Sequence, residues 1–399
     1  MSKFLNTAYW RTPAMVLYLM TFAMSFAFGI WMALFNNFAV DIVRLNGAHI
    51  GVLQSWREVP GFLAFAVVWL LLILNEQRLA LMSLLMLGVG VALTGYLPSF
   101  SGLLLTTMLM SLGFHYYETV RQSLTLQWFS KQEAPVKMGN LVAVSSGAAL
   151  LSYAWAWLAI EYMQFNLQQT MLIGGGVTVI LALVVATLFP IYRVGVEQHK
   201  RLVFRKRYML YYALTFMGGA RRQIFFVFAV LLLVEKFHFS AQEVALVFLL
   251  NGAVNMWLAP KIGQFVARFG ERISLQLEYI GLIVVFSAYG WVDSVPAAVG
   301  LYVLDNILFA MAIAQSSYIK KIADPADMAS TAGVSFTINH IAAVILPAVL
   351  GVLWLWSPLA VFLSGAAMAC VSLYLALWVP KHPDAGNEWQ RPSFTTTDT

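Results

Sequence analysis

The sequence predicts an all-α integral membrane protein in which twelve transmembrane helices form two pseudo-symmetric six-helix bundles. Three observations predict this fold: an apolar composition, long stretches without charge, and similarity between the two halves of the chain. Of the 399 residues, 61% are hydrophobic and 11% are charged, whereas soluble domains carry about 25% charged residues. This number of charged side chains is too small to cover the surface of a soluble protein. We therefore expect a surface that faces lipid.

Uncharged stretches of membrane-spanning length recur along the chain. Residues 12–40, 138–160 and 162–192 contain no Asp, Glu, Lys or Arg, and a helix needs roughly 20 apolar residues to cross a bilayer. One cysteine, Cys370, and six scattered histidines offer no cluster of metal ligands, so we expect no metal and no cofactor. The expected partners are the lipid bilayer and a small-molecule substrate, with no nucleic acid and with the chain as a monomer.

Polar or Pro/Gly segments such as NEQR, LPSFSG and LWSP divide the chain into twelve predicted spans. The longest, RVGVEQHKRLVFRKR, separates the two halves. We therefore predict a bundle at 1–192, a basic cytoplasmic linker at 193–207, a second bundle at 208–380, and a polar, disordered tail at 381–399. The spans are predicted at residues 13–40, 47–75, 79–97, 101–129, 136–161, 167–192, 208–236, 241–262, 273–292, 296–320, 327–355 and 357–380.

The distribution of basic residues predicts the orientation. Twelve spans place both termini on one side, and Lys and Arg in short loops mark the cytoplasmic side. With cytoplasmic termini, 18 of the 24 Lys and Arg residues lie in cytoplasmic segments, and 2, Arg44 and Lys236, lie in outer loops. We therefore expect cytoplasmic termini and location in a bacterial inner membrane. The bias also accounts for the net charge of +6 without a nucleic-acid partner.

The two halves of the chain are similar in sequence, which indicates an internal repeat. With a shift of 194 positions, MVLYLMTF in span one aligns with MLYYALTF in span seven. With a shift of 190 positions, Pro135 and Met138 align with Pro325 and Met328. Because loops and prolines match as well as apolar residues, the similarity predicts two bundles of the same topology.

With this repeat and this predicted orientation, the chain resembles the major facilitator superfamily of transporters. Two six-helix bundles, a basic central loop and cytoplasmic termini fit that family along nearly the whole length. The sequence GQFVARFGER is also similar to the family's loop motif G-x-x-x-D-R-x-G-R-R. The matching positions are Gly263, Arg268, Gly270 and Arg272, while Ala267 replaces the acid and Glu271 replaces a base. The resemblance implies that the four matching residues contribute to gating and that spans one, four, seven and ten line a central cavity.

Charged residues lie inside several predicted spans, and a central Arg costs about 2.5–3.5 kcal/mol on insertion scales. They must therefore face acids, water or substrate. In span two we expect Arg57 and Glu58 to form an outer gate or a structural pair. In span nine we expect Glu278 to pair with a cytoplasmic base. The four interior arginines are Arg57, Arg121, Arg221 and Arg222.

The sequence GFHYYETVRQSL in span four places His115, Glu118 and Arg121 three residues apart, on one face of a helix. Arg121 offers a forked array of donors for a carboxylate or phosphate. Glu118 can change protonation, so we predict proton coupling there, with His115 beside it. Tyr117 adds a hydroxyl group on an apolar ring as a substrate contact. A structural Glu–Arg pair is the alternative that the sequence leaves open.

Spans seven, eight and ten supply further candidates. Arg221 and Arg222 are adjacent, so they point about 100° apart on a helix. We expect one to bind substrate and the other to pair with an acid. Gln223 and Asn255 are candidate polar substrate contacts. Asp305 aligns with His115 in the repeat and is the second candidate proton carrier, or else a partner for an arginine.

These features predict a secondary active transporter that moves a small organic anion or zwitterion by alternating access, coupled to protons. The alternative is a proton-coupled exporter of drugs or amphipathic compounds. The excess of interior arginine and the absence of a G-P-x-x-G-G motif from span five argue against that alternative. The sequence contains no Walker nucleotide-binding motif and no HxxxH or Asp-rich metal motif, so we expect neither ATP hydrolysis nor enzymatic activity.

Overall fold

A computed structural model describes residues 10–71, 73–129, 134–192, 204–324 and 328–391. Within these ranges the chain is built from helices, and no β-strand is present. Each predicted span corresponds to one helical segment, numbered α1 to α12 in chain order. The principal helices are α1 Pro13–Asn37, α2 Gly47–Phe62, α3 Glu76–Thr94, α4 Phe100–Trp128, α5 Ala134–Glu161, α6 Leu167–Leu188, α7 Met209–Gln223, α8 Ala241–Phe269, α9 Glu271–Tyr289, α10 Val295–Ala310, α11 Met328–Trp356 and α12 Pro358–Ala376.

Four segments extend beyond these principal helices. Segment α1 continues through a π-helical turn at Phe38–Ile42, and α10 resumes at Ile313–Ile322 after a short turn. Segment α2 continues as a 3-10 turn at Leu63–Ala66 and a short helix at Val67–Leu70. Segment α7 begins with a 3-10 turn at Lys206–Tyr208, then passes through a π-helical turn at Ile224–Ala229 into Val230–Glu235. Because π-helical turns are often found at functional sites, the turn that directly follows Gln223 makes the middle of segment α7 a candidate functional region.

Ten of the segments are long and apolar enough to cross a membrane, counted over the described residues. The exceptions are α2, which is broken after Pro60, and α4, whose hydropathy is lowered by its polar residues. Both exceptions carry charged residues in their interiors. In a membrane these charged side chains must face protein or water.

Polar side chains at the predicted boundaries explain where the helices begin. Each accepts a hydrogen bond from a backbone N–H in the first turn of the helix that follows, which satisfies a donor with no partner inside the helix. The Asn166 cap of α6 is reciprocal, because the side chain of Gln169 also accepts from the backbone of Asn166. The other capping residues are Thr12, Asn46, Asn75, Ser99 and Ser357.

The helices form two compact units, which we call unit 1 (residues 1–200 and 234–252) and unit 2 (residues 201–233 and 253–399). In unit 1, α1 packs against α5 and α6, and α3 packs against α4 and α6. In unit 2, α7 packs against α11 and α12, and α9 packs against α10 and α12. Adding six to each helix number of unit 1 gives the packing of unit 2, as expected for an internal repeat.

Small residues allow the close helix contacts of unit 1. A Cβ atom added to Gly175 on α6 would lie 2.2 Å from the carbonyl oxygen of Gly88 on α3. A Cβ atom added to Gly113 on α4 would lie 2.3 Å from the carbonyl oxygen of Ser83. Both contacts are between backbones, which is typical of membrane helices held together by packing. Gly113 is also the first residue of the polar stretch of α4, so this stretch begins where α4 lies close to α3.

The segment after α12 corrects a prediction, because residues 381–391 are folded rather than disordered. A turn with Gly386 at φ +92 reverses the chain, and Asn387 N–H donates to the carbonyl of Asp384. Tyr318 at the end of α10 then donates to the carbonyl of Glu388. We call residues 381–391 the C-terminal strap. Residues 392–399 lie outside the described part of the chain.

Candidate substrate and coupling site

The polar face predicted for α4 is present in unit 1. Arg121 Nη2 donates to Glu118 Oε2 across 2.6 Å, and the two side chains are 22% and 23% exposed. One turn earlier, His115 is buried, and its Nδ1 lies 3.0 Å from the hydroxyl oxygen of Ser111. The structure therefore places the three predicted residues along one face, with the ion pair half-buried and the histidine enclosed.

The Glu118–Arg121 pair leaves part of its hydrogen-bonding capacity unused. Among the described residues, neither Arg121 Nε nor Glu118 Oε1 has a hydrogen-bond partner. A guanidinium group has five N–H donors in a fixed fork, and a carboxylate can accept about four hydrogen bonds. Both atoms are themselves buried, so a solute would have to reach the pair through its other, exposed atoms.

Tyr117 does not share the accessibility of its neighbours. Its side chain is fully buried, and its hydroxyl oxygen lies 2.9 Å from the hydroxyl oxygen of Thr21 on α1. This hydrogen bond joins α1 to α4 inside unit 1. A ring with no exposed surface does not touch a solute in this conformation, so a substrate contact at Tyr117 stays a prediction.

Arg57 and Glu58 on α2 form a second ion pair of unit 1. Arg57 Nη2 and Glu58 Oε1 are 2.5 Å apart, and the side chains are 8% and 5% exposed. The guanidinium carbon also lies 5.9 Å from the ring centroid of Trp31 on α1. Ser111 on α4 donates to the backbone carbonyl of Arg57. These contacts connect α2 with α1 and α4, which favours the structural pair over the outer gate.

The adjacent arginines of α7 have different environments, as their helical positions predict. Arg221 is buried, with its guanidinium carbon 4.2 Å from the ring centroid of Tyr279 on α9. Its Nη1 lies 3.7 Å from Glu278 Oε1, and these two side chains are 1% and 2% exposed. Arg222 is half-buried. Of the two, Arg222 is therefore the one accessible to a solute, and the predicted substrate contact at Arg221 is not supported.

Glu278 corrects a further prediction. It lies near the middle of α9 and pairs with Arg221, not with a cytoplasmic base. Neither Glu278 nor Tyr279 was among the predicted site residues. The signal that could have identified them is the sequence LQLEYIGL, which places an acid and a tyrosine within an apolar helix. Such an acid must face protein or water.

Asp305 on α10 is fully buried in unit 2. The hydroxyl of Tyr289 on α9 lies beside its carboxyl group. However, neither carboxyl oxygen has a hydrogen bond of normal geometry with a described residue. Asp305 also interacts electrostatically with Arg221. The structure thus supports Asp305 as a neighbour of an arginine, and a role in proton coupling stays a proposal.

The two predicted amide contacts make hydrogen bonds within the protein. Gln223 is buried, and its Nε2 donates weakly to the backbone carbonyl of Gly219 across 3.4 Å. Asn255 on α8 is half-buried and donates to Asn306 Oδ1 across 3.1 Å. Asn255 therefore keeps some accessibility, whereas Gln223 is enclosed. The predicted contact at Gln223 would require a change in packing.

The loop motif between α8 and α9 forms a tight turn. Gly270 has φ +83, which is a conformation that glycine adopts without strain. Arg268 is exposed, and Gly263 and Arg272 are half-buried. The buried residue of the turn is Glu271, whose Oε1 lies 2.7 Å from Lys321 Nζ and accepts a hydrogen bond from Ser317, both on α10. The acid that departs from the family motif thus connects α9 to α10.

Twelve helical segments in two repeated units, with charged pairs in their interiors, are typical of a membrane transporter. The sequence model of the Major Facilitator Superfamily matches residues 59–347. This match covers more than half of the chain, so the protein belongs to that family and is a transporter rather than an enzyme. As in other members of the family, its substrate is a small molecule bound within the membrane.

Solved structures of several transporters share this fold. A nucleoside transporter, NupG, has a TM-score of 0.73 with 16% identity, covering 92% of this chain and 98% of its own. A POT family transporter in complex with 5-aminolevulinic acid has a TM-score of 0.72 with 13% identity, covering 91% and 95%. A bacterial homologue of the human lysosomal transporter Spinster has a TM-score of 0.70 with 13% identity, covering 95% and 98%. No curated protein matches the chain significantly by sequence. At these identities the likeness shows the fold alone.

Proposed function

We propose that the protein is a proton-coupled secondary transporter for a small organic anion or zwitterion. In this proposal Arg121 binds the acidic group of the solute and Glu118 carries the proton. The observation that carries it is the accessibility of the Glu118–Arg121 pair. Its side chains are 22% and 23% exposed, against 8% and 5% for Arg57–Glu58 and 1% and 2% for Arg221–Glu278.

The chemistry of the pair couples the two ligands through one arginine. When Glu118 is protonated, it no longer neutralises Arg121, and the guanidinium group can hold a solute carboxylate or phosphate. When Glu118 is ionised, it competes for the same guanidinium group and promotes release of the anion. Half-buried Arg222 is the alternative to Arg121 as the residue that binds the acidic group. Proton and substrate are thus linked without a pathway between distant sites.

The test of this function is uphill transport by the Glu118→Gln variant in proteoliposomes. Glutamine resembles the protonated acid and cannot titrate, so the variant should bind solute and exchange it across the membrane. It should lose accumulation driven by a pH gradient. The matched control is Glu161→Gln, which changes an exposed carboxyl at the end of α5 and should transport as the wild type does. Accumulation by Glu118→Gln at the wild-type level would exclude Glu118 as the proton carrier.

The orientation proposed for this transporter places both termini in the cytoplasm of a bacterium, because of the bias in Lys and Arg. A single cysteine introduced at Gln198, in a chain whose Cys370 is replaced by alanine, should resist a membrane-impermeant thiol reagent in intact cells. It should react fully once the membrane is permeabilised. A cysteine at Arg44, in a predicted outer loop, is the matched control and should react without permeabilisation. The reverse pattern would invert the topology.

A further inference from the structure

The interior of unit 2 contains two acids around one guanidinium group. Arg221 on α7, Glu278 on α9 and Asp305 on α10 are all buried, and both carboxyl groups interact electrostatically with Arg221. We call these three residues the buried acid–arginine group. It is distinct from the Glu118–Arg121 pair, which belongs to unit 1, and the function proposed above makes no use of it.

The charges of this group do not balance if every member is ionised. Two carboxylates and one guanidinium group would leave one negative charge without a partner in an interior from which water is excluded. Such a charge is strongly unfavourable, and a buried acid avoids it by keeping its proton. Tyr279, Tyr289 and Tyr302 are further titratable side chains near this group, and a neutral tyrosine cannot supply the missing positive charge.

The geometry distinguishes the two acids. Glu278 Oε1 lies 3.7 Å from Arg221 Nη1, which is close enough for an ion pair. Glu278 Oε2 and both oxygens of Asp305 have no hydrogen bond of normal geometry with a described residue, so the contact with Arg221 is what separates the two acids. An ionised carboxylate needs several donors, whereas a protonated one can donate its own O–H to the Tyr289 hydroxyl that lies beside it. Asp305 therefore suits the neutral form and Glu278 the charged form.

We propose that Asp305 binds a proton in the folded protein and that the buried acid–arginine group can pass this proton to Glu278. The exchange needs a movement of Arg221 from Glu278 towards Asp305. The O–H bond of Asp305 then breaks, a new O–H bond forms on Glu278, and the guanidinium group pairs with the Asp305 carboxylate. The number of protons and the net charge stay constant, so the group is a proton-binding site with two alternative positions.

Infrared difference spectroscopy of the purified protein at neutral pH tests this site without any substrate. A protonated carboxyl group has a C=O stretching band that an ionised carboxylate lacks. The Asp305→Asn variant should lose this band. Glu278→Gln should lose it as well, because Arg221 is then left with Asp305 as its only acid and ionises it. Arg221→Met should double the band, because both acids then keep a proton.

The exposed acid Glu161 supplies the matched control, since Glu161→Gln should leave the band unchanged. Thermal unfolding of each variant checks that it is folded. If Arg221→Met does not fold, the bands of Asp305→Asn and Glu278→Gln are sufficient to test the proposal. A band that persists in Asp305→Asn would overturn the proton assignment. A band that persists in Glu278→Gln would overturn the exchange with Glu278. Neither outcome depends on transport, so the proton coupling proposed for Glu118 would be unaffected.

Discussion

The Glu118–Arg121 pair of unit 1 and the Glu278–Arg221 pair of unit 2 contain the same two side chains in different surroundings. The first pair lies within one helix, with 2.6 Å between its atoms and more than a fifth of each side chain exposed. The second joins α7 to α9, with 3.7 Å between its atoms and almost no exposure. Only the accessible pair can exchange its partner for a solute in this conformation.

This difference separates two roles that a charged pair can have inside a membrane protein. An accessible pair remains partly hydrated, so removing one member costs little stability and changes binding. An enclosed pair is desolvated, so removing one member leaves a buried charge without compensation.

The largest effect should follow from Arg221→Met. The change leaves Glu278 without its arginine, so this enclosed acid must take up a proton to avoid an uncompensated charge, and breaking a buried pair typically costs about 3–5 kcal/mol. We expect a loss of this size in the free energy of unfolding, measured by denaturant titration in detergent. The matched variant Arg121→Met, at the accessible pair, should lose about 0.2–1 kcal/mol. Equal losses in the two variants would contradict the contrast between the pairs.

Removing both members of the enclosed pair sharpens the same comparison. The double variant Arg221→Met with Glu278→Met has no buried charge at this position, and apolar replacement of a buried pair is often neutral or stabilising. We expect it to recover most of the stability lost in Arg221→Met. A double variant as unstable as the single one would show that packing around Tyr279, rather than charge, causes the loss.

A smaller effect, on binding rather than stability, should follow from Arg121→Lys. Lysine keeps the charge but lacks the forked donors that hold a carboxylate through two hydrogen bonds. We expect the solute to lose about 1.5–3 kcal/mol of binding free energy, the usual contribution of hydrogen bonds to charged groups. Thermal-shift titration against organic anions and cations would measure it. Unchanged affinity in both Arg121→Lys and Arg121→Ala would exclude α4 as the anion site.

The smallest effect concerns salt. Loss of the accessible pair in Glu118→Gln should reduce the free energy of unfolding by about 0.2–1 kcal/mol at low ionic strength. At 1 M salt the Debye length falls to about 3 Å, so this difference from the wild type should disappear. The cost of Glu278→Gln should not depend on salt, because ions do not reach an enclosed pair. A salt-dependent cost for Glu278→Gln would show that water enters unit 2.

The fold could be predicted from the sequence because it depends on patterns that extend over many residues. The apolar runs predicted the positions of twelve helical segments. The capping residues between those runs, such as Asn75 and Ser99, can also be read from the sequence. The repeat predicted the common helix packing of the two units. The Glu118–Arg121 contact was also predictable, because side chains three residues apart meet on the surface of a helix.

Contacts between helices could not be predicted in the same way. Glu278 and Arg221 are 57 positions apart in the chain, and only the arrangement of the helices in unit 2 decides that they meet. Tyr117 has the residue type of a substrate contact, but the rotation of α4 directs it to Thr21. The folded strap was missed because its polar composition is that of a disordered tail, while its contacts depend on side chains of distant segments.

The C-terminal strap has a consequence for engineering this transporter. Arg207, at the start of α7, contacts both Asp324, after α10, and Glu388 in the strap. Gln390 N–H donates to the carbonyl of Trp378. Three distant parts of the chain thus meet at one end of unit 2. A purification tag fused after Thr399 keeps all of these contacts, whereas a truncation at Pro380 removes the partner of Tyr318 and one of the two acids near Arg207. Trimming this polar end to aid crystallisation would therefore remove folded structure.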